Sequence, residues 1–207
     1  MTKFKTNTGI VVALLALTGA CSSTNATSRS LAFSGTEQAH ASGTVSRLAV
    51  PDSYGGQTTQ VYLTGYSYWD NTPPGSAQIA RPVIHNRAGG TGTYEDPVTL
   101  AVGHVKNGGR STMDFQAGTR FYIERIRKYA IVEDLCGDGN NPQDGPCHSG
   151  YNGHPWIDIY VGGRHSDKTF TTSCMYRITG LQNAIINPSP GLPVSPGELA
   201  ASGCQVF

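Results

Sequence analysis

Residues 58–70 read TTQVYLTGYSYWD, and along them Val61, Leu63 and Trp69 alternate with Tyr62, Thr64, Tyr66 and Tyr68. An alternation of period two is the signature of a β-strand with one face packed inward. If the strand stays regular to its end, Tyr62, Thr64, Tyr66, Tyr68 and Asp70 share one face. Further along, WIDIYV (Trp156–Val161) repeats the pattern. There Ile157, Ile159 and Val161 form the core face, while Trp156, Asp158 and Tyr160 form the other, a carboxylate between two aromatics. Strands are also expected over 98–102, 119–126, 129–134 and 175–179. Pro73-Pro74-Gly75, Gly89-Gly90, Gly108-Gly109 and the glycine-rich stretch 137–153 mark the loops between them. Short strands joined by such loops predict an all-β sandwich or barrel. No internal repeat is visible. The tail 187–196 holds four prolines and is expected to wrap the domain, pinned by Cys204.

The N-terminus carries Lys3 and Lys5, an apolar run from Gly9 to Leu17, and then Gly19-Ala20 before Cys21. This is the layout of a secretory signal over 1–20. Its apolar run is too short to cross a bilayer, for which about 20 apolar residues are needed. Leu17-Thr18-Gly19-Ala20-Cys21 resembles the bacterial lipobox, which implies a lipid anchor on Cys21 and a membrane-held envelope protein; simple secretion after Ala20 is the alternative. Residues 21–46 are rich in Ser, Thr, Ala and Gly, too poor in bulky side chains to fold alone, and read as a tether. The folded domain is expected over 47–207.

Four cysteines remain, at 136, 147, 174 and 204. An even number in an exported chain suggests two disulfides. Cys136–Cys147 and Cys174–Cys204 is the favoured pairing, because each closes a local segment rich in Gly and Pro. Loss of residues 1–20 removes two lysines and leaves 13 basic against 14 acidic residues, a net charge of minus one. Such a balance gives no steering toward nucleic acid. Charged residues make up only 14%, against about 25% in an average soluble domain, which fits an exported β domain with long loops.

Three carboxylates stand out. Asp158 lies between aromatics, which disfavour its charged form and suit it to general acid work. Asp70 ends a row of tyrosines; flat rings stack on sugars while their hydroxyls reach sugar hydroxyls, so Tyr66, Tyr68, Trp69, Trp156 and Tyr160 form a candidate carbohydrate platform. Asp134 ends the run Tyr129-Ala130-Ile131-Val132 just before Cys136, and is either catalytic or an acceptor for loop amides. Asp138-Gly139-Asn140-Asn141 with Asp144 is rich in oxygen ligands but lacks the spacing and closing glutamate of a calcium loop. His85, His104, His148, His154 and His165 are scattered without metal-ligand spacing on one element. Neither a metal nor a cofactor is expected.

The ordered series 98–101, 118–123, 129–136 and 156–159 resembles the double-psi β-barrel group, which includes rare lipoprotein A, the expansins and glycoside hydrolase family 45. The resemblance covers about residues 58–165. It implies a six-stranded double-psi barrel with long Gly/Pro-rich loops. Tyr68-Trp69-Asp70 resembles the family 45 segment that supplies the base, and Ile157-Asp158-Ile159 the segment that supplies the acid. After Asp70 stands Asn71-Thr72-Pro73-Pro74, where family 45 carries cysteines. The expected function is a monomeric, exported, glycan-cleaving enzyme of the cell envelope. Its expected partner is peptidoglycan or another β-linked wall polysaccharide, with Asp158 as acid and Asp70 and Asp134 as further candidates. A non-hydrolytic, expansin-like binding or wall-loosening module is the alternative.

Overall fold

A computed structural model of the chain describes residues 55–207; the expected signal segment over 1–20, Cys21 and the expected tether over 21–46 lie outside the described residues. The strands are β1 (Gln57–Tyr66), β2 (Val98–Val102), β3 (His104–Asn107), β4 (Arg110–Met113), β5 (Arg120–Ile123), β6 (Lys128–Leu135), β7 (Trp156–Tyr160) and β8 (Gly180–Ile186). Two helices join them, α1 (Pro146–Ser149) and α2 (Lys168–Ile178). Six strands close into a barrel in the order β1-β7-β2-β6-β5-β8, while β3 and β4 form a separate hairpin. Two neighbouring pairs of the barrel, β1 with β7 and β2 with β6, run parallel; the other four pairings are antiparallel.

The alternation in the sequence becomes the wall of this barrel. Val61 and Leu63 of β1, Ile157 and Ile159 of β7, Leu100 of β2, Phe121 and Ile123 of β5 and Ala184 of β8 are fully buried in one core cluster. All five residues of β2 and seven of eight in β6 are buried, because loops and tail cover the outer face of these strands. A strand covered on both faces reads as a continuous apolar run. The pairing of β2 with β6 passes from Leu100–Val132 to Ala101–Asp134 and skips Glu133. Such a bulge re-aims side chains, and two neighbouring carboxylates leave β6 here for different partners.

Three strand expectations need correction. Residues 175–179 belong to α2, not to a strand. Asp167 caps this helix by accepting the amide of Phe170 at 2.9 Å, and Thr171, Cys174 and Ile178 recur at helical spacing on its buried face. The stretch from Met175 is the last turn of this helix, with Ile178 buried and Tyr176 exposed. The strand expected over 119–126 stops at Ile123, where a single 3-10 turn follows and Arg127 takes a left-handed conformation with φ of 47°. β1 ends at Tyr66, not Asp70. The amide of Asn71 donates back to the carbonyl of Ser67 at 3.0 Å, folding residues 67–71 into a turn.

Both favoured disulfides are present, Cys136–Cys147 and Cys174–Cys204. The proline-bearing tail crosses the barrel. Tyr122 donates to the carbonyl of Pro193 at 2.6 Å and Tyr129 to that of Ser189 at 2.8 Å. The buried ammonium of Lys128 donates to the carbonyls of Thr91, Ser195 and Gly197.

Candidate active site

A cleft of about 560 Å³ opens at one end of the barrel, between β1, β7 and the loops after β1 and β6. Asp158, Asp70, Asp134, Tyr66 and Trp156 all line it. The parallel register sets Thr64 beside Asp158 and Tyr62 beside Trp156. Thr64 Oγ1 lies 2.7 Å from Asp158 Oδ1, and Trp156 Nε1 lies 2.8 Å from Thr64 Oγ1. An indole N–H can only donate and a hydroxyl has one proton. Thr64 therefore accepts from Trp156 and donates to Oδ1 of Asp158. With Thr64 donating to Oδ1, Oδ2 is the oxygen left to carry a proton.

Burial pushes the Asp158 carboxyl up to about 7; the charges of Asp70, Asp134 and Asp138 add to the rise, and the Thr64 hydrogen bond partly offsets it. The acid is thus divided between its protonated and charged forms near neutral pH, the condition that favours general acid catalysis.

The two other carboxylates differ in how they are held. Asp134 Oδ1 accepts the amides of Ala80 and Leu135, each at 2.9 Å, and Oδ2 accepts the phenol of Tyr66 at 3.1 Å. Its burial outweighs these donors and raises its pKa. Of the two roles open to Asp134, acceptance of loop amides is the one this geometry displays. Asp70 is exposed, with Oδ1 taken by the amide and hydroxyl of Ser67 at 2.7 and 2.6 Å; Oδ2 has no partner among the described residues. Asp138 also lines the cleft, and its Oδ2 accepts the amide of Cys147 at 3.2 Å.

The aromatic platform is divided. Tyr66 and Trp156 line the cleft, whereas Tyr68, Trp69 and Tyr160 do not. Tyr160 is buried and packs edge-on against Tyr66 at 5.3 Å. Burial, with the charge of Glu198 beside it, pushes its phenol up to about 12. Tyr68 and Trp69 pack edge to face at 5.4 Å. They leave the cleft because the chain turns at Ser67, and the amide of Tyr68 is bonded instead to the carbonyl of Gly162.

Sequence reasoning missed Thr64 as a site residue, and also the 71–80 loop. Asn71 is buried and its Nδ2 donates to the carbonyls of Ser76 and Gln78, at 3.2 and 3.0 Å, which shapes one wall of the cleft. Asn71 directly after Asp70, in a segment with two prolines, was the available signal. Among the described residues, no group of three His, Cys, Asp or Glu side chains is placed to hold a metal ion.

Residues 58–205 match the family described as DDB_G0273701 N-terminal domain. The chain belongs to this family. The matched range begins in β1 and ends just past Cys204, so the family domain comprises the barrel, the cleft and both disulfides. A Dictyostelium discoideum protein, described as uncharacterised, is 37% identical over 119 residues, covering 56% of this chain and 45% of that protein. The match thus spans less than half the length of the relative. No solved structure matches the chain.

Proposed function

We propose that this domain is an exported, glycan-cleaving enzyme of the cell envelope acting on peptidoglycan or a related β-linked polysaccharide, with Asp158 as general acid. The observation that carries this reading is the chain Trp156–Thr64–Asp158, which occupies Oδ1 and leaves the acidic proton to Oδ2. Protonation of a glycosidic oxygen by Oδ2 lets an oxocarbenium-like state form. Asp70, with one oxygen unpartnered, is the candidate base for activating water. An inverting pair would need a carboxyl separation of roughly 6.5 to 9.5 Å. The two parallel pairings within a closed six-stranded barrel support the double-psi form. The paired cysteines are in keeping with export and with an anchor at Cys21.

A second reading, non-hydrolytic binding or wall loosening, is favoured by one observation. Asp134 is engaged by three donors, so hydrolysis would rest on Asp70, which is turned onto its own loop. The test is incubation of the protein and Asp158→Asn with purified peptidoglycan, chitin and cellulose, with products read by mass spectrometry. Products from at least one polymer that vanish in the variant support the enzyme. Binding to a polymer without products supports the second reading, and activity that persists in Asp158→Asn refutes the site assignment.

A further inference from the structure

Beyond Trp156 the cleft continues into a second hollow of about 340 Å³, and Trp156 and Cys147 contribute to both. This volume lies within the roughly 300 to 1,000 Å³ usual for ligand sites. His148 and His154 line it together with Phe115. Asp114 Oδ1 lies 2.7 Å from Nδ1 of His148. A carboxylate only accepts, so Nδ1 carries the proton and Nε2 is left for a ligand; it has no hydrogen-bond partner among the described residues. The imidazole of His154 likewise has none, while its backbone is bonded twice to Tyr151, at 2.9 and 3.0 Å. Both imidazoles can serve a ligand as hydrogen-bonding groups through these nitrogens.

Two further rings adjoin Trp156 outside the lining of the hollow. Tyr151, which is exposed, stacks on Tyr62 at 4.2 Å with planes 20° apart, and Tyr62 meets Trp156 edge-on at 4.6 Å. The rings of Phe115 and Trp156 beside ring nitrogens without partners among the described residues suit a ligand that is apolar on its faces and rich in hydroxyls at its edge, which describes a pyranose ring. We infer that the hollow is a second sugar-binding subsite, taking residues of the same glycan strand on the far side of Trp156 from Asp158. This inference rests on the glycan reading of the cleft. Trp156 links the two spaces physically, since its ring borders the hollow while its N–H begins the chain to Asp158.

The test is calorimetric titration of Asp158→Asn, chosen so that the proposed turnover does not consume the ligand, with β-1,4-linked N-acetylglucosamine oligomers of two to six sugars. Affinity is expected to rise about tenfold between the shortest and longest oligomers. Adding His148→Ala with His154→Ala should abolish that rise while leaving the shortest oligomer bound as before. Tyr151→Ala should reduce the rise independently, and thermal melts establish that each variant is folded. A rise that survives in the folded histidine variant, or no rise in the parent, overturns the subsite while leaving the cleft reading intact. Failure of the parent to bind any oligomer overturns both.

Discussion

At the scale of single residues the decisive group is Asp158. Its Oδ1 is bonded to Thr64, so as the proposed general acid it would act through Oδ2, and only in the protonated form. Activity should therefore fall as pH rises through about 7. Thr64→Val removes a donor that favours the carboxylate. Hydrogen bonds to charged groups contribute about 1.5–3 kcal/mol, and 1.36 kcal/mol corresponds to one pKa unit. The basic limb of the pH–rate profile should move upward by about one to two units, and an unmoved limb would show that the chain does not govern the acid. Stability gives a second readout. A carboxyl raised from 3.8 to about 7 means that the folded protein binds the extra proton between those values, so stability declines as pH rises across that window. Asp158→Asn should remove the decline and stabilise the protein at pH 8 by about 1–3 kcal/mol, discounted for partial exposure. Chemical denaturation of both proteins at pH 4 and pH 8 measures it. Loss of activity together with a gain in stability would mark Asp158 as functional rather than structural.

At the scale of elements, the bulge in β6 sends Asp134 to the cleft and Glu133 to the covering loop. Glu133 is fully buried and accepts the amides of Val83, Ile84 and His85 at 3.2, 2.7 and 2.9 Å, together with the Thr99 hydroxyl at 3.2 Å. His85 bridges it to Asp96, with Nδ1 at 2.7 Å from Glu133 and Nε2 at 2.9 Å from Asp96. Burial by itself would lower the His85 pKa, but the two carboxylates outweigh it and raise it. A raised histidine stabilises the fold below its unfolded value of about 6.5 and loses that contribution as pH climbs through the folded value. Glu133 and Asp96 are lowered despite their burial, chiefly through hydrogen bonds with His85 and, for Asp96, Thr91. Their contribution is present above about 4 and is lost in acid. The loop over β2 and β6 should therefore be held most firmly in mildly acidic solution. Amide exchange at Ile84 and His85 should be slowest near pH 5–6, after correction for intrinsic rates. Glu133→Ala should destabilise by about 3–5 kcal/mol, as expected when a buried charged group loses its partner. The strands that carry this network were legible because Val98–Val102 and Tyr129–Val132 are short, largely apolar stretches. The network was not, since nothing in the local pattern says that loop 83–85 lies over Glu133.

At the scale of the whole molecule, the two disulfides have different tasks. Cys174–Cys204 ties α2 to the tail across 30 residues, away from the cleft, whereas Cys136–Cys147 spans 11 residues and forms part of the cleft wall. Loop-closure entropy makes the longer link worth about 3–4 kcal/mol and the shorter slightly less. Replacing both cysteines of the 174–204 pair by serine should lower stability by that amount and leave polymer binding nearly unchanged. The same change at 136 and 147 should weaken polymer binding more than its stability loss accounts for, because Gly137 and Asp138 of the cleft lose their anchor. Parallel melts and pull-down on insoluble peptidoglycan separate the two effects; equal binding losses from both pairs would refute the division.

What could be read from sequence alone was local or nearly so. Period-two alternation placed β1 and β7 within a few residues, short apolar stretches placed β2 and β6, the alternation of Ile157 and Ile159 singled out Asp158 on the other parity, and closure of local Gly- and Pro-rich segments favoured the cysteine pairs. Residues 175–179 misled because the window held only the last turn of α2, too short to show the helical spacing of Thr171, Cys174 and Ile178. The rest depended on distance along the chain. Thr64 and Asp158 are 94 residues apart, and only the parallel register of β1 with β7 joins them. The turn at Ser67 removed Tyr68 and Trp69 from the cleft, and the amides of Ala80 and Leu135 decided how Asp134 is held. Alternation records which face a side chain occupies; which atoms meet it there is settled by register and loop closure, and these exist only once the barrel has closed.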